Sequence, residues 1–155
     1  MSYANDMPTV ERVARTDAGL ASELRLSVMR LRRRLAAERH PDNELSLGAM
    51  AVLGALYRAG DLSIGELAAR ERVQPPSMTR TVNCLEDGGY VARKPHDTDG
   101  RQVLVTLTDS GRTTLLADRA RRDAWLALRL RDLTPEERAV LRQAAPILEA
   151  LAQKD

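Results

Sequence analysis

The residues best suited to contacting a polyanion lie in segment 75–87, which has the spacing of a helix. At about 100° per residue, Met78, Val82 and Leu85 share one narrow stripe that must pack inward. Small residues let a helix backbone approach the major groove of DNA, and polar groups supply donors for phosphates and base edges. The alternative is an ordinary solvated helix face, which usually carries more acids or lysines. The candidate DNA contacts on the opposite side are Pro76, Ser77, Thr79, Arg80 and Asn83.

A second stretch, residues 96–102, holds one arginine in a turn that also contains two acids and a glycine. We predict that Arg101 enters the minor groove of DNA, where narrow A·T-rich segments concentrate negative potential. Asp99 would support it by holding the guanidinium outward before DNA arrives. The alternative is that Asp99 makes only an Asx-turn and Arg101 is a surface charge. On the preceding strand, Arg93 and Lys94 are predicted phosphate contacts that set the register on the duplex.

Cap and turn residues predict the elements that position these two stretches. Ser63 and Glu66 have capping-box spacing and begin a short helix, which the helix at 75–87 follows. Gly88 and its neighbouring glycine end that second helix. Residues 90–93 and 103–107 then read as two strands joined by the arginine-bearing turn. This order predicts a mainly α fold with a small β-hairpin wing, built on a winged helix-turn-helix core.

Long helices with one apolar side flank this core. They are too apolar on that side to stay solvated, and pairing them with a second copy in a two-fold dimer would bury it. Pro146 lies inside the last helix and is expected to kink it. The predicted organisation is a flexible N-terminus (1–16), dimerisation helices (17–45 and 108–155) and a winged helix-turn-helix DNA-binding lobe (46–107).

Catalytic chemistry has few candidates in this sequence. Its histidines are His40 and His96, and its one cysteine is Cys84, so no nucleophile–base pair or ligand cluster is visible. We therefore predict no enzyme activity, no metal and no cofactor. Cys84 lies at the edge of the outer helix face, so a thiol-responsive regulator stays open beside the alternative of a half-buried thiol. A winged helix used only for protein contacts is a further alternative, against which the polar face with Arg80 argues.

Composition narrows the class of protein further. The 24 basic and 22 acidic residues give a net charge of +2, so bulk charge indicates no partner. Aromatic residues make up only 3% of the chain, which disfavours a single-stranded nucleic-acid binder that needs stacking platforms. A single cysteine excludes an internal disulfide, and no signal peptide or apolar run of about 18 residues is visible. These features predict a cytoplasmic protein with no membrane partner.

The ordered set of motifs resembles the MarR family of bacterial transcription regulators over roughly residues 20–152. The resemblance rests on these stretches: Ser63-Ile64-Gly65-Glu66-Leu67-Ala68, Pro75-Pro76-Ser77-Met78-Thr79-Arg80 with Leu85-Glu86, Gly89-Tyr90-Val91 with Arg93, and Asp99-Gly100-Arg101 before Leu107-Thr108 and Gly111.

The resemblance implies a homodimer that binds double-stranded DNA at a pseudo-palindromic operator, most often as a repressor. It also implies that a small aromatic or anionic effector releases the DNA. Among the residues themselves, Trp125 and Tyr57 either line a pocket or simply pack, and Arg33 or Arg34 either pairs with an anionic ligand or is solvated. By position it makes Arg101 the wing arginine and Asp99 its acidic partner. Gln102 stands where the family often has a second cation, and no reactive cysteine lies near the start of the fold.

Overall fold

The computed structural model describes residues 15–154, which group into two compact units. One unit, here called the lobe, comprises residues 39–124, and the other, the outer unit, comprises residues 15–38 and 125–154. The lobe is larger than the segment predicted from the sequence (46–107), because the residues just before position 46 and most of the helix after position 107 pack with it. The predicted flexible segment 1–16 lies almost wholly outside the described residues.

The structure contains the predicted short helix, the helix at 75–87, the two strands and the long flanking helices, and it adds a two-residue strand. Leu62–Ser63 is too short to show strand alternation in the sequence, and it pairs with the later hairpin through Leu62 opposite Val105. The sheet is antiparallel in the order β1-β3-β2. The elements are α1 Asp17–Ala37, α2 Leu47–Ala59, β1 Leu62–Ser63, α3 Ile64–Glu71, α4 Pro75–Asp87, β2 Val91–Pro95, β3 Val103–Leu107, α5 Asp109–Arg131 and α6 Pro135–Ala152.

Local capping explains where the helices begin. Ser63 and Glu66 form the predicted capping box at α3, with the Ser63 hydroxyl 3.1 Å from the Glu66 backbone nitrogen. Thr134 and Glu137 form a second box at α6. Thr16, assigned by the sequence to the flexible N-terminus, is the N-cap of α1 and accepts a hydrogen bond from the Gly19 backbone at 3.0 Å. α6 continues through Pro146, whose effect on the helix axis stays a prediction.

The core of the lobe surrounds α2, which contributes a nearly continuous buried run. Side chains from α3, α4 and β3 close over it, and the following residues have no exposed surface: Val52, Leu53, Leu67, Val82, Leu85 and Val105. Since both α4 and the hairpin bury one side in this core, their opposite sides have fixed directions.

A buried carboxylate joins the loop before α2 to α5. Asp118 is fully buried and accepts hydrogen bonds from the His40 backbone N–H at 3.0 Å and from Asn43 Nδ2 at 2.6 Å. Arg122 lies one turn along α5, with its guanidinium 3.7 Å from the same carboxylate. A buried charge is tolerated only when it is paired and hydrogen-bonded, so this network fixes the loop on the helix.

The outer unit leaves many large apolar side chains uncovered. Leu20 of α1 is 49% exposed, and Val140 and Ile147 of α6 are 63% and 61% exposed. Along residues 15–154, no helix is both long and apolar enough to cross a membrane. The exposed apolar positions of this unit are Leu20, Leu26, Val28, Met29, Leu31, Leu128, Val140, Leu141, Ile147, Leu148 and Leu151.

Candidate nucleic-acid interface

Helix α4 has the two-sided character that the sequence predicts. Met78, Val82 and Leu85 are buried, whereas the proline-led start and the opposite side are open. Gln74 is the N-cap but makes no side-chain capping bond, and prolines at the first two positions have no N–H to satisfy. Of the predicted contacts, Thr79 is half-buried and the exposed ones are Pro76, Ser77, Arg80 and Asn83.

Hydroxyl groups on this helix are partly engaged by its own backbone. Thr79 Oγ1 donates to the Pro75 carbonyl at 3.0 Å, and Thr81 Oγ1 donates to the Ser77 carbonyl at 3.1 Å. A hydroxyl that donates within its helix can still accept. Thr79 therefore presents an acceptor outward, and Arg80 and Asn83 carry the donors of this face.

Arg93 on β2 reaches α4 instead of projecting freely. Its Nη1 donates to Glu86 Oε1 at 2.7 Å and its Nη2 donates to Asn83 Oδ1 at 2.6 Å. The contact fixes the strand to the exposed side of α4. The phosphate contact of Arg93 stays a prediction. It would have to use the guanidinium N–H groups that do not already donate to Glu86 or Asn83.

Lys94 is likewise held within the lobe. Its ammonium lies 2.5 Å from Asp61 Oδ2, at the turn that precedes β1. The hydrogen bond from Lys94, with a further one from Thr106, lowers the pKa of Asp61, and the same bond to Asp61 raises the pKa of Lys94. A phosphate would have to compete with this carboxylate for Lys94.

The turn between β2 and β3 corrects one detail of the prediction. Asp99 Oδ1 accepts from the Arg101 backbone N–H at 3.1 Å, and no carboxylate of residues 15–154 forms an ion pair with the Arg101 guanidinium. Asp99 therefore makes the Asx-turn given as the alternative, because the backbone N–H two residues on is the donor this short side chain reaches most easily. It supports the turn, and Arg101 remains exposed at the tip.

His96 stabilises the same turn, a role that the sequence analysis missed. Its Nδ1 lies 3.2 Å from the backbone nitrogens of both Thr98 and Asp99, which donate to it. The His96 backbone N–H in turn donates to the Gln102 carbonyl at 2.9 Å and closes the hairpin. The wing tip thus has a defined backbone that does not depend on the Arg101 side chain.

Two aromatic rings that the sequence left open between pocket and packing are each flanked by arginines. In the lobe, Arg112 and Arg119 of α5 lie 5.1 and 4.8 Å from the ring centre of Tyr57. In the outer unit, Arg34 and Arg129 lie 5.4 and 4.4 Å from the Trp125 ring centre. These distances are those of cation–π contacts, which is the packing alternative, and an effector site at either ring stays a prediction. Arg34 also lies 3.8 Å from Glu38, whereas Arg33 is exposed.

The surface around α4 carries one reactive side chain, the thiol of Cys84. Cys84 is a free, exposed thiol on α4, more open than the half-buried alternative. Within the described part of the chain, no group of three or more histidine, cysteine or acidic side chains is placed to hold a metal ion.

Comparison with known proteins shows that the sequence and structure of this chain are similar to those of one protein family. Residues 44–102 match the family model described as the MarR family. A helix-turn-helix transcriptional regulator of Mycobacterium bovis is 48% identical over 139 residues, covering 90% of this chain and 96% of that protein. The transcriptional repressor MdtR of Bacillus subtilis is 32% identical over 137 residues, covering 86% of each chain. The crystal structure of a transcriptional regulator of Pseudomonas aeruginosa superposes with a TM-score of 0.80 at 35% identity, covering 90% of this chain and 97% of that one.

Proposed function

The chain belongs to the MarR family of DNA-binding transcriptional regulators, and from that premise we propose that it is a homodimeric repressor of a pseudo-palindromic operator. The family and its relatives are regulators, so the predicted absence of enzyme activity agrees with them. Repression is favoured by the similarity to the Bacillus subtilis repressor, which spans 86% of each chain.

The exposed side of α4 is the observation that carries the proposal. Burial of Met78, Val82 and Leu85 turns Arg80 and Asn83 away from the core, where they can meet base edges in the major groove. The helix begins with small and proline residues, so its N-terminal turn can approach the duplex closely. Arg80, a cation with no carboxylate partner among residues 15–154, is the strongest candidate for a base or phosphate contact.

The wing supplies the second contact in this proposal. Arg101 is exposed at the tip of a turn whose backbone is held by Asp99 and His96. A long cationic side chain on such a turn fits the narrow minor groove beside the site occupied by α4. Arg101 then senses groove width, and α4 reads bases.

Dimerisation follows from the uncovered apolar surface of the outer unit. Val140 and Ile147, both more than 60% exposed, are on α6, and Leu20 and Leu31 are on α1. Burying one such side chain fully is worth about 1.5–3 kcal/mol, so a second copy that covers several of them gains substantial free energy. A two-fold dimer also presents two copies of α4, which a pseudo-palindromic operator requires.

Release by a small aromatic or anionic effector is the remaining part of the proposal. The arginines beside Trp125 are the described groups of the outer unit that combine an aromatic face with positive charge. Saturation-transfer or calorimetric screening of aromatic carboxylates against the protein–operator complex tests this part.

Selection of binding sites from random DNA is the experiment that tests the proposal. We expect a two-fold symmetric consensus, a dimer by sedimentation, and an affinity that falls steeply with salt. Arg80→Ala should cost about 1–3 kcal/mol if Arg80 reads a base, or lower the salt slope by about one if it binds phosphate. Recovery of no consensus by the wild-type protein would refute the proposal and favour a winged helix that contacts only proteins.

A further inference from the structure

A side-chain bridge fixes the orientation of one amide on the exposed side of α4. Arg93 Nη2 lies 2.6 Å from Asn83 Oδ1, and Arg93 Nη1 lies 2.7 Å from Glu86 Oε1. A guanidinium has only donors, so the atom of Asn83 that faces it must be the carbonyl oxygen. A flip of the amide would place its NH2 group against the N–H groups of Arg93, and the bridge therefore selects one of its two orientations.

This orientation determines what Asn83 can offer to a base. Asparagine recognises adenine by using both halves of its amide, the carbonyl for N6 and the NH2 group for N7. Here the carbonyl already accepts from a cation, and a second donor that approaches the same oxygen would meet the positive charge of Arg93. The NH2 group remains available, and polarisation of the amide by the guanidinium makes it a stronger donor.

We propose that Arg93 is a positioning residue that makes Asn83 a donor-only reader, with guanine as its preferred base at one position of each operator half-site. Guanine presents two acceptors, O6 and N7, in the major groove, whereas adenine presents one acceptor beside a donor. The inference rests on the proposed function, because it assumes that α4 enters the major groove.

Glu86 holds the other side of the bridge. It lies one turn after Asn83 on α4, and its carboxylate fixes the guanidinium that would otherwise be free to turn towards a phosphate. Pairing also cancels the negative charge that Glu86 would bring to a DNA-facing helix. The three side chains together therefore form a hydrogen-bonded support that leaves the NH2 group of Asn83 available to donate.

Binding-site selection with matched variants tests the inference. Asn83→Ala first identifies the operator position that Asn83 reads, because selectivity is lost there. At that position we expect the wild type to prefer guanine over adenine by about fivefold or more, and Arg93→Met to reduce this preference to about twofold or less. Arg93→Lys keeps a donor and a positive charge, so it should retain the guanine preference.

A second variant, with Arg93 unchanged, tests whether the NH2 group is the part of Asn83 that contacts the base. Asn83→Asp keeps an oxygen for Arg93 but removes the NH2 group, so the guanine preference should disappear, with a shift towards cytosine, whose amino group a carboxylate accepts.

The outcomes separate this inference from the proposed function. A wild-type protein that selects no sequence refutes the proposed function. A protein that selects an operator refutes the inference alone if adenine is preferred at the Asn83 position, or if Asn83→Ala changes no position. The same holds if Arg93→Met weakens all sequences equally and keeps the guanine preference, which is the behaviour of a phosphate contact.

Discussion

Removal of the buried carboxylate of Asp118 should destabilise the lobe far more than removal of any exposed acid. In Asp118→Ala, the His40 backbone N–H and Asn43 Nδ2 lose their acceptor, and Arg122 loses its ion-pair partner. A buried donor left without a partner costs about 1–3 kcal/mol. The Arg122 side chain keeps 25% of its surface exposed, so water replaces part of what it loses.

These contributions together give an expected loss of about 3–5 kcal/mol, the range seen when one partner of a buried ion pair is removed. Asp118→Asn keeps one oxygen for the His40 N–H but sets an NH2 group against Asn43, so its loss should be smaller, about 1–3 kcal/mol. At about 2–4 °C per kcal/mol for a chain of this size, Asp118→Ala should lower Tm by about 6–20 °C.

Urea unfolding at one fixed protein concentration measures these losses, because a dimer's stability depends on concentration. Asp123→Ala is the matched control, an exposed acid on the same helix, and should stay within about 0.5 kcal/mol of the wild type. An Asp118→Ala protein as stable as the Asp123→Ala protein would show that the network does not hold the loop on α5.

Three further perturbations test other parts of the structure. Gly111→Ala should be strongly destabilising in thermal unfolding, because its Cβ would lie 2.1 Å from the Tyr90 carbonyl oxygen, which is backbone and cannot move aside; an unchanged Tm would contradict this close approach. Arg101→Ala should weaken operator binding in fluorescence anisotropy without lowering Tm, because its side chain is exposed and makes no ion pair within residues 15–154; equal affinity would remove the wing from the interface. Asp61→Asn should be less stable than the wild type near neutral pH, and the difference should vanish in acid. Because Lys94 lowers the pKa of Asp61 below its ordinary 3.8, the stabilisation is present above that value and is lost as the pH falls through the lower folded-state pKa. A difference that persists at the lowest pH would exclude the ion pair as its cause.

Features set by local sequence could be predicted, and the predictions were confirmed. Caps such as Ser63 with Glu66 depend on residues three apart, and the inward stripe of α4 depends only on helical periodicity. The family assignment from ordered motifs was likewise confirmed. The strand at Leu62–Ser63 could not be predicted, because two residues carry no alternation and the strand exists only by pairing with β3.

Features set by tertiary packing were the ones missed. Asp118 lies among arginines on α5 and resembles a surface acid in the sequence, yet the loop before α2 covers it completely. Arg93 was predicted only as a phosphate contact, whereas the packing of β2 beside α4 also brings it to Asn83 and Glu86. One local contact was missed as well: the Asp99 carboxylate, expected to hold the Arg101 guanidinium, accepts from the Arg101 backbone N–H instead. In each case the missing information was which distant segment or main-chain donor lies within reach.

Trp125 gives this protein a built-in optical reporter for one of its two units. It is the only tryptophan in the sequence, and it lies in the outer unit with guanidinium groups of Arg34 and Arg129 over its ring. Tryptophan fluorescence, excited at the red edge of the protein absorption spectrum, therefore reports the packing of α1 and α5 in that unit. The lobe that carries α4 contains no tryptophan and contributes nothing to this signal. The fluorescence of a thiol-reactive dye attached to Cys84 would report on the lobe. Because the dye and Trp125 emit at different wavelengths, unfolding of the two units can be measured independently.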